Sequence, residues 1–195
     1  MSANAIFSVT QALTARLQSS VSEVLAGGEV FVGPLDDPEA KGAALILFLY
    51  RIEPNATLRN QNHLVLSAAP PPDVITYTNS LPLVLHYLIT VGTPSGSTGD
   101  PLLQLLGHAM RSLNEDTELT GIKVGNAVVQ ISLEPLSTEE MSRIWTLFPT
   151  ANYRTSIGYV VSPVWIDPRD PPVVAGRVTQ QLQHAGAKLA ESPDD

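Results

Sequence analysis

The sequence contains no cysteine among its 195 residues. This absence excludes disulfide scaffolds, cysteine-ligated zinc sites, iron–sulfur clusters and thiol catalysis. Charged residues are also scarce, at 15% of the chain against roughly 25% in typical soluble domains, while the hydrophobic share of 44% is ordinary. The low charge is explained equally well by a surface of neutral polar side chains and by a surface that partner subunits cover.

Basic residues are few and dispersed along the chain. Eleven Lys and Arg stand against nineteen Asp and Glu, which gives a formal net charge of −8. Nucleic-acid binding draws its affinity from Lys and Arg contacts to phosphates, and no basic run is present. The composition therefore argues against a nucleic-acid partner.

Long hydrophobic runs are absent as well. The longest, AALILFLY at 43–50, has eight residues, whereas a membrane helix needs about 20. The N-terminal residues lack the basic stretch and apolar block of a secretory signal. We therefore expect a protein that has no membrane partner and is made in the cytoplasm.

Apolar periodicity and capping signals predict three helices. They are residues 3–26, a helix from Pro101 with Asp100 as its N-cap, and a helix from the capping box Ser137–Glu140 to about Phe148. Strands are predicted at 29–35, 44–52 and 81–92, as a hairpin within 121–136 that turns at Gly125-Asn126, and at 156–166. Pro163 places the last strand near an edge or a strand end.

The predicted strands and helices do not alternate strictly. The fold class is therefore α+β, with a single, mostly antiparallel sheet and helices packed on one face. Residues 1–168 are predicted to form one domain that contains an irregular insert at about 54–82, where prolines 70–72 forbid regular pairing. Residues 169–195 are expected to be an extended C-terminal arm with a short helix and a frayed acidic end.

No catalytic motif is evident. The loop Gly92–Gly99 lies between a strand and a helix, but Gly92 and Gly96 enclose three residues instead of four and no lysine follows. The four histidines lack metal-ligand spacing, and we expect His86, inside an apolar strand, to be a hydrogen-bonded structural residue. No nucleophile–base signature is present. The sequence predicts no enzyme, no cofactor and no metal site.

Three stretches in order suggest a family. They are LYRIEPNATLRNQ at 49–61, LPLVLHYLITVG at 81–92 followed by LLQLLGHAMRSLNED at 102–116, and IWTLFPTANYRTSIGYVVSPVWI at 144–166. Together they resemble the domains of unknown function encoded with extracellular contractile injection systems, the phage-tail-like particles of the antifeeding-prophage type. Members of that family look like tail-terminator, or cap, proteins.

The resemblance implies a structural role without catalysis or cofactor and a fold like that of phage tail terminators. It implies a ring, with a hexamer suspected, that ends the inner tube and sheath at the end far from the baseplate of a toxin-delivering particle. The partners are then other copies of the chain, the inner tube protein and the sheath protein. The ring would assemble in the bacterial cytoplasm and belong to a particle that is released from the cell.

Candidate contact regions follow from this role. The extended segment Val160–Val174 is the candidate for strand exchange with a neighbour, and the insert 54–82 is the candidate for contact with tube or sheath. Trp145 and Tyr159 are expected to form a buried seam between helix and sheet. The candidate interface residues are Arg59, Asn60, Tyr153, Arg154, Val160, Val161 and Trp165.

Three alternatives stay open at this point. One is a head-to-tail completion or neck protein of a phage. Another is a small hydrolase whose site assembles from distant residues. The third is a monomeric ligand-binding module with a concave apolar pocket.

Overall fold

The computed structural model describes residues 3–67, 70, 72–94, 99–121, 124, 127–169 and 172–175. The helices are α1 (Ala5–Val24), α2 (Gly99–Glu115) and α3 (Thr138–Trp145), with a short 3-10 helix at Pro38–Ala40. The strands are β1 (Val30–Val32), β2 (Leu45–Pro54), β3 (His63–Leu66), β4 (Val74–Tyr77), β5 (Leu81–Val91), β6 (Glu118–Leu119), β7 (Val129–Glu134), β8 (Ser156–Ile166) and β9 (Val173–Ala175).

The main sheet has six strands in the order β1-β2-β5-β8-β7-β6. β1 runs parallel to β2, and every other pair in this sheet is antiparallel. This confirms the predicted α+β class with a mostly antiparallel sheet. β5 and β8, with eleven residues each, form its centre.

Helices cover both faces of the main sheet, whereas the sequence predicted one covered face. α1 and α2 pack with Tyr87 and Ile89 of β5, while α3 packs with Leu88, which points to the opposite face. The continuous apolar run in β5 reflects this double cover. Trp145 and Tyr159 are both buried, but they lie in the two different cores, so they do not form the single seam that was predicted.

The insert predicted to be irregular contains regular structure. β3 and β4 form an antiparallel hairpin, and β9 pairs with β4 to complete a second sheet in the order β3-β4-β9. Pro70 and Pro72 lie in the connection between β3 and β4 and remove no ladder bond from either strand. The prediction of a single sheet was therefore wrong, because this small sheet lies beside the main one.

β8 is a central strand and not an edge strand, despite Pro163. Its pairing with β7 ends at Ser162, and its register against β5 shifts between Leu83 and Leu85. Pro163 lies at this irregular position and is paired with neither neighbour. Its missing N–H therefore costs no sheet hydrogen bond.

Two predicted boundaries were also wrong. α2 begins at Gly99, which places Asp100 inside its first turn instead of at the N-cap. The hairpin partner of β7 is the two-residue strand β6, upstream of Gly121, and such a short strand has no periodicity to detect. The turn at 125–126 and the predicted helix after residue 175 lie outside the described residues.

The capping box at the start of α3 is confirmed. Ser137 Oγ accepts a hydrogen bond from the Glu140 amide at 3.2 Å, and Glu140 Oε2 accepts one from the Ser137 amide at 2.9 Å. Ser137→Ala leaves an amide of the first helical turn without its acceptor, so we expect the free energy of unfolding to fall by about 1 kcal/mol. Urea denaturation measures this loss. Ser142→Ala, at an exposed position of the same helix, is the control and should change stability little.

Candidate functional site

One end of the main sheet carries a hollow beside the connection from α3 to β8. It measures about 430 Å³ and is lined mainly by apolar groups. We call it the end hollow and define it by Val91, Thr93, Leu102, Leu103, Tyr153 and Arg154. The Leu103 and Tyr153 side chains are 58% and 66% exposed, so the wall of the hollow presents apolar surface to solvent.

Arg154 is the charged group of the end hollow. Its side chain is partly buried, and Nη1 donates to the Val91 carbonyl at 3.4 Å. Burial lowers the pKa of this guanidinium below its usual value, but an arginine stays protonated in proteins. Among the described residues, no carboxylate forms an ion pair with it. The end hollow therefore combines apolar walls with a cation for which, among the described residues, the Val91 carbonyl is the one hydrogen-bond acceptor.

The small sheet, at the other end of β5 and β8, also exposes apolar side chains. Leu64, Leu66, Val74 and Val173 are 63%, 58%, 39% and 63% exposed. The register pairs Leu66 with Val74, and it places Thr76 between Leu64 and Val173, so these side chains share one face. We call it the outer face. The three strands contain no charged residue.

The inner face of the small sheet is held against the main sheet by His63. The buried His63 ring stacks on Trp165 of β8, with ring centroids 4.8 Å apart and planes 10° apart, and it also lies near Tyr77. His63 Nδ1 donates to Asp167 Oδ1 at 2.7 Å, and Ser80 Oγ donates to the same oxygen at 2.7 Å. These contacts join β3 and β4 to the end of β8.

His63, Ser80 and Asp167 are the residue types of a catalytic triad, but their geometry differs. In a catalytic triad the serine hydroxyl is hydrogen-bonded to the imidazole, which accepts the hydroxyl proton as the general base. Here Ser80 donates to Asp167 and not to His63, and both Ser80 and His63 are buried. The arrangement does not activate Ser80 as a nucleophile; it fixes the position of the small sheet.

His63 makes stability depend on pH. Burial lowers its pKa to about 4, whereas an unfolded histidine titrates near 6.5. Between these pKa values the unfolded chain binds a proton at His63 that the native chain does not bind. The free energy of unfolding therefore falls as the pH is lowered from 6.5 toward 4, by about 3 kcal/mol at most. The Asp167 carboxylate favours the charged ring and reduces this loss. Urea denaturation across this range measures it.

The control for this prediction is His63→Gln, which keeps an N–H donor for Asp167 but does not titrate. Subtracting its pH profile from that of the wild type removes the contribution of the other titrating groups. A difference between the two profiles that stays flat from pH 6.5 to 4 contradicts the prediction.

His86 is a hydrogen-bonded structural residue, as the sequence predicted. Its Nδ1 donates to Glu134 at 2.8 Å, its Nε2 lies 3.2 Å from Glu53, and Arg51 lies beside the ring. Tyr50 donates to the other oxygen of Glu134, and burial together with this carboxylate raises its pKa. The members of this cluster satisfy one another. Within the described residues, no group of three His, Asp or Glu side chains is arranged to hold a metal ion.

Comparison with known families decides where this fold belongs. The model of the Pvc16 N-terminal domain matches residues 8–180, which is most of the chain. The chain belongs to the Pvc16 N-terminal domain family. The resemblance drawn from the three sequence stretches is thereby confirmed. No curated protein sequence matches this family member.

Two solved structures share the fold of this Pvc16-family chain. One is the sheath/tube terminator of a PVC extracellular contractile injection system in its extended state, with a TM-score of 0.59 and 18% identity over 93% of the chain. The other is the tube-terminating cap of the anti-feeding prophage, with a TM-score of 0.58 and 21% identity over 91% of the chain. The Pvc16-family chain spans 65% and 60% of those two proteins, which are therefore longer.

The candidate interface residues of this Pvc16-family chain are dispersed. Arg59 and Asn60 lie exposed in the turn after β2, Tyr153 and Arg154 lie at the opposite end, and Val160 is half-buried in β8. Val161 and Trp165 are 0% and 7% exposed. Their side chains are buried in the chain's own cores, so they are not available to a neighbour.

Only the end of the segment Val160–Val174, the candidate for strand exchange, has an open strand edge in the structure. β8 pairs with β5 and β7, and the following strand β9 pairs with β4. The backbone groups of β8 therefore have partners on both sides, whereas β9 pairs on one side only among the described residues, and strand exchange stays a prediction. No described helix of the Pvc16-family chain is long and apolar enough to cross a membrane.

Sequence reasoning missed the outer face of the small sheet. Its signal was the strict alternation in HLVL at 63–66, where His63 and Val65 are buried while Leu64 and Leu66 are exposed. It also missed Leu103, which lies next to the buried stripe of α2. An exposed leucine has no sequence signature of its own, because apolar side chains also make up much of ordinary protein surface.

Proposed function

We propose that this chain is a tail terminator, a structural cap. Six copies would form a ring that ends the inner tube and sheath of a contractile injection particle. The ring would lie at the end far from the baseplate. The observation that carries the proposal is the fold that more than 90% of the chain shares with two proteins described as a sheath/tube terminator and a tube-terminating cap.

The surface chemistry supports an assembly role. Only 15% of the residues are charged, and apolar side chains are exposed at both ends of the main sheet. Large exposed apolar patches mark interaction sites in soluble proteins. A subunit whose surface becomes covered in a ring and against a tube has this composition.

The polar clusters support a role without catalysis. Ser80, His63 and Asp167 hold two sheets together, and the His86 cluster satisfies its own members. The protein then acts by shape: a bound ring covers the last layer of tube and sheath and leaves no surface for another layer. Its partners are further copies of itself, the inner tube protein and the sheath protein. It is made in the bacterial cytoplasm and leaves the cell within the particle.

Deleting the gene from a producing strain and restoring it on a plasmid tests the proposal. Particles from the restored strain are expected to have a narrow length distribution and a six-fold ring at the end far from the baseplate, seen by cryo-electron microscopy. Particles from the deletion strain should vary in length or lose their sheath at that end. Identical lengths, sheaths and ends in both strains would overturn the proposal.

A further inference from the structure

We propose that the outer face of the small sheet docks into the end hollow of a second copy of this chain, in a head-to-tail contact. This inference rests on the proposed ring, and it assigns the two surfaces that build the ring.

The outer face has the properties of a surface that is covered in the assembled protein. Leu64, Leu66 and Val173 are each more than half exposed. In the part of the chain that the structure describes, β3 and β9 each pair on one side only, so both edges of the small sheet are open. Proteins that remain monomeric protect such edges with charged residues, prolines or bulges. The three strands contain no charged residue and no proline, so short length is the only protection of this kind that the strands themselves provide.

The end hollow has complementary chemistry. Leu103 and Tyr153 supply exposed apolar area, which matches the leucines and valines of the outer face. The Arg154 guanidinium has five N–H donors, of which one is bonded to the Val91 carbonyl. An open strand edge presents backbone carbonyls that can accept from the others. The apolar side chains of the small sheet can therefore pack against the walls of the hollow, and the carbonyls of its open edges can accept hydrogen bonds from Arg154.

The placement of the two surfaces decides which partner they meet. Trp165 and Asp167, at the end of β8, contact the small sheet, while Thr155, just before its start, lines the end hollow. β8 has eleven residues, which separates the surfaces by about 30 Å. One chain cannot fold its own outer face into its own hollow over that distance. A second copy can bring one to the other.

A head-to-tail contact covers both surfaces in every copy. A two-fold contact between two outer faces would leave the hollow of each subunit open, and a reciprocal two-fold contact between outer face and hollow would stop at a dimer. Contacts between different patches instead build a closed ring or an open filament, according to the rotation between neighbours. Each subunit supplies one outer face and one hollow, so a closed ring leaves neither exposed.

Cysteine cross-linking tests the contact directly, because the chain has no cysteine of its own. Leu64→Cys and Leu103→Cys are made separately, co-expressed, and treated with a short bismaleimide. We expect roughly ten times more cross-linked dimer from the co-expressed pair than from either variant alone, because only different patches meet. The double variant in one chain should give a ladder of cross-linked oligomers. Both positions are exposed, so the substitutions should not disturb folding, which circular dichroism checks.

Leu133→Cys is the matched control. Leu133 is a 54% exposed residue of β7 that pairs with Tyr159, the fourth of the eleven residues of β8, and it belongs to neither docking surface. It should cross-link with neither variant. Dimer formed by Leu64→Cys alone at the level of the pair would indicate a two-fold contact and overturn the proposal.

The ring and the docking surfaces fail in different ways. Six-fold rings in electron micrographs without cross-linking of the co-expressed pair would keep the proposed function and overturn this contact. Cross-linking of the co-expressed pair would support the contact even if particles with and without the gene had the same lengths and ends. That combination of results would overturn the capping function. The two readouts are recorded on the same preparations.

Discussion

Gly92→Ala is expected to lower the free energy of unfolding by at least about 4 kcal/mol, or to prevent accumulation of folded protein. A Cβ at this position would lie 1.8 Å from the Ala43 carbonyl oxygen and 2.6 Å from its carbon. The Gly92 amide also donates to the Ala44 carbonyl at 2.8 Å. Since the clash is with backbone, relief requires β5 to move away from β2 at the point where Val91 pairs with Leu45.

Gly107→Ala is the matched control for this prediction. A Cβ at Gly107, on the exposed side of α2, meets no atom within 4 Å. Alanine is favoured over glycine inside a helix by roughly 0.5–1 kcal/mol, so this variant should be slightly more stable than the wild type. Urea denaturation of both variants measures the contrast. A Gly92→Ala protein with the stability of the wild type would contradict the close approach of the two strands.

Trp165→Ala is expected to destabilise the protein by about 3–5 kcal/mol, because a large buried ring is replaced by a cavity. Trp165 is 7% exposed and supplies the surface on which the His63 ring stacks. Its loss removes a contact between the two sheets as well as core volume. We therefore expect hydrogen exchange to accelerate more in β3 and β4 than in the centre of the main sheet.

Trp165→Phe keeps a flat ring for His63 and is the control. It should cost about 1–2 kcal/mol and preserve the protection of β3 and β4. Equal acceleration of exchange in both sheets after Trp165→Ala would show that the small sheet does not depend on this stack for its position.

The sequence predicted the elements whose signals are local. α1 follows from apolar spacing, α3 from the Ser137–Glu140 capping box, and β2 and β5 from continuous apolar runs. These signals lie within about twenty residues of chain, and the structure confirms each element. The family resemblance drew in part on β2 and β5, and it was confirmed as well.

The features that were missed depend on contacts between distant residues. β3 and β9 are separated by about a hundred residues, and a three-residue strand such as β9 has no periodicity to recognise. The central position of β8 depends on the register shift that accommodates Pro163. Pro163 correctly indicates that the hydrogen-bond ladder of β8 is not regular at this position. The sequence does not show that the ladder is interrupted there while the strand stays in the centre of the sheet.

The surfaces proposed for assembly were only partly predictable. The sequence favours Arg154 as an interface residue because arginine is common at interfaces, and both Arg154 and its neighbour Tyr153 line the end hollow. Val161 and Trp165 were chosen from the same strand and are buried, because alternation assigns residues to faces without saying which faces are covered. Leu64 and Leu103 became candidates only when the structure showed their exposure.

The central position of β8 has a consequence for biosynthesis. β8 is the last strand of the main sheet to leave the ribosome, yet it must insert between β5 and β7, which are made before it. Until residue 166 has emerged, the facing edges of β5 and β7 have unpaired backbone N–H and C=O groups, and intermediates with unpaired strand edges are prone to aggregate. A chain truncated before β8 cannot complete the sheet. Prematurely terminated products should therefore be removed by cellular proteases instead of entering an assembly as defective subunits.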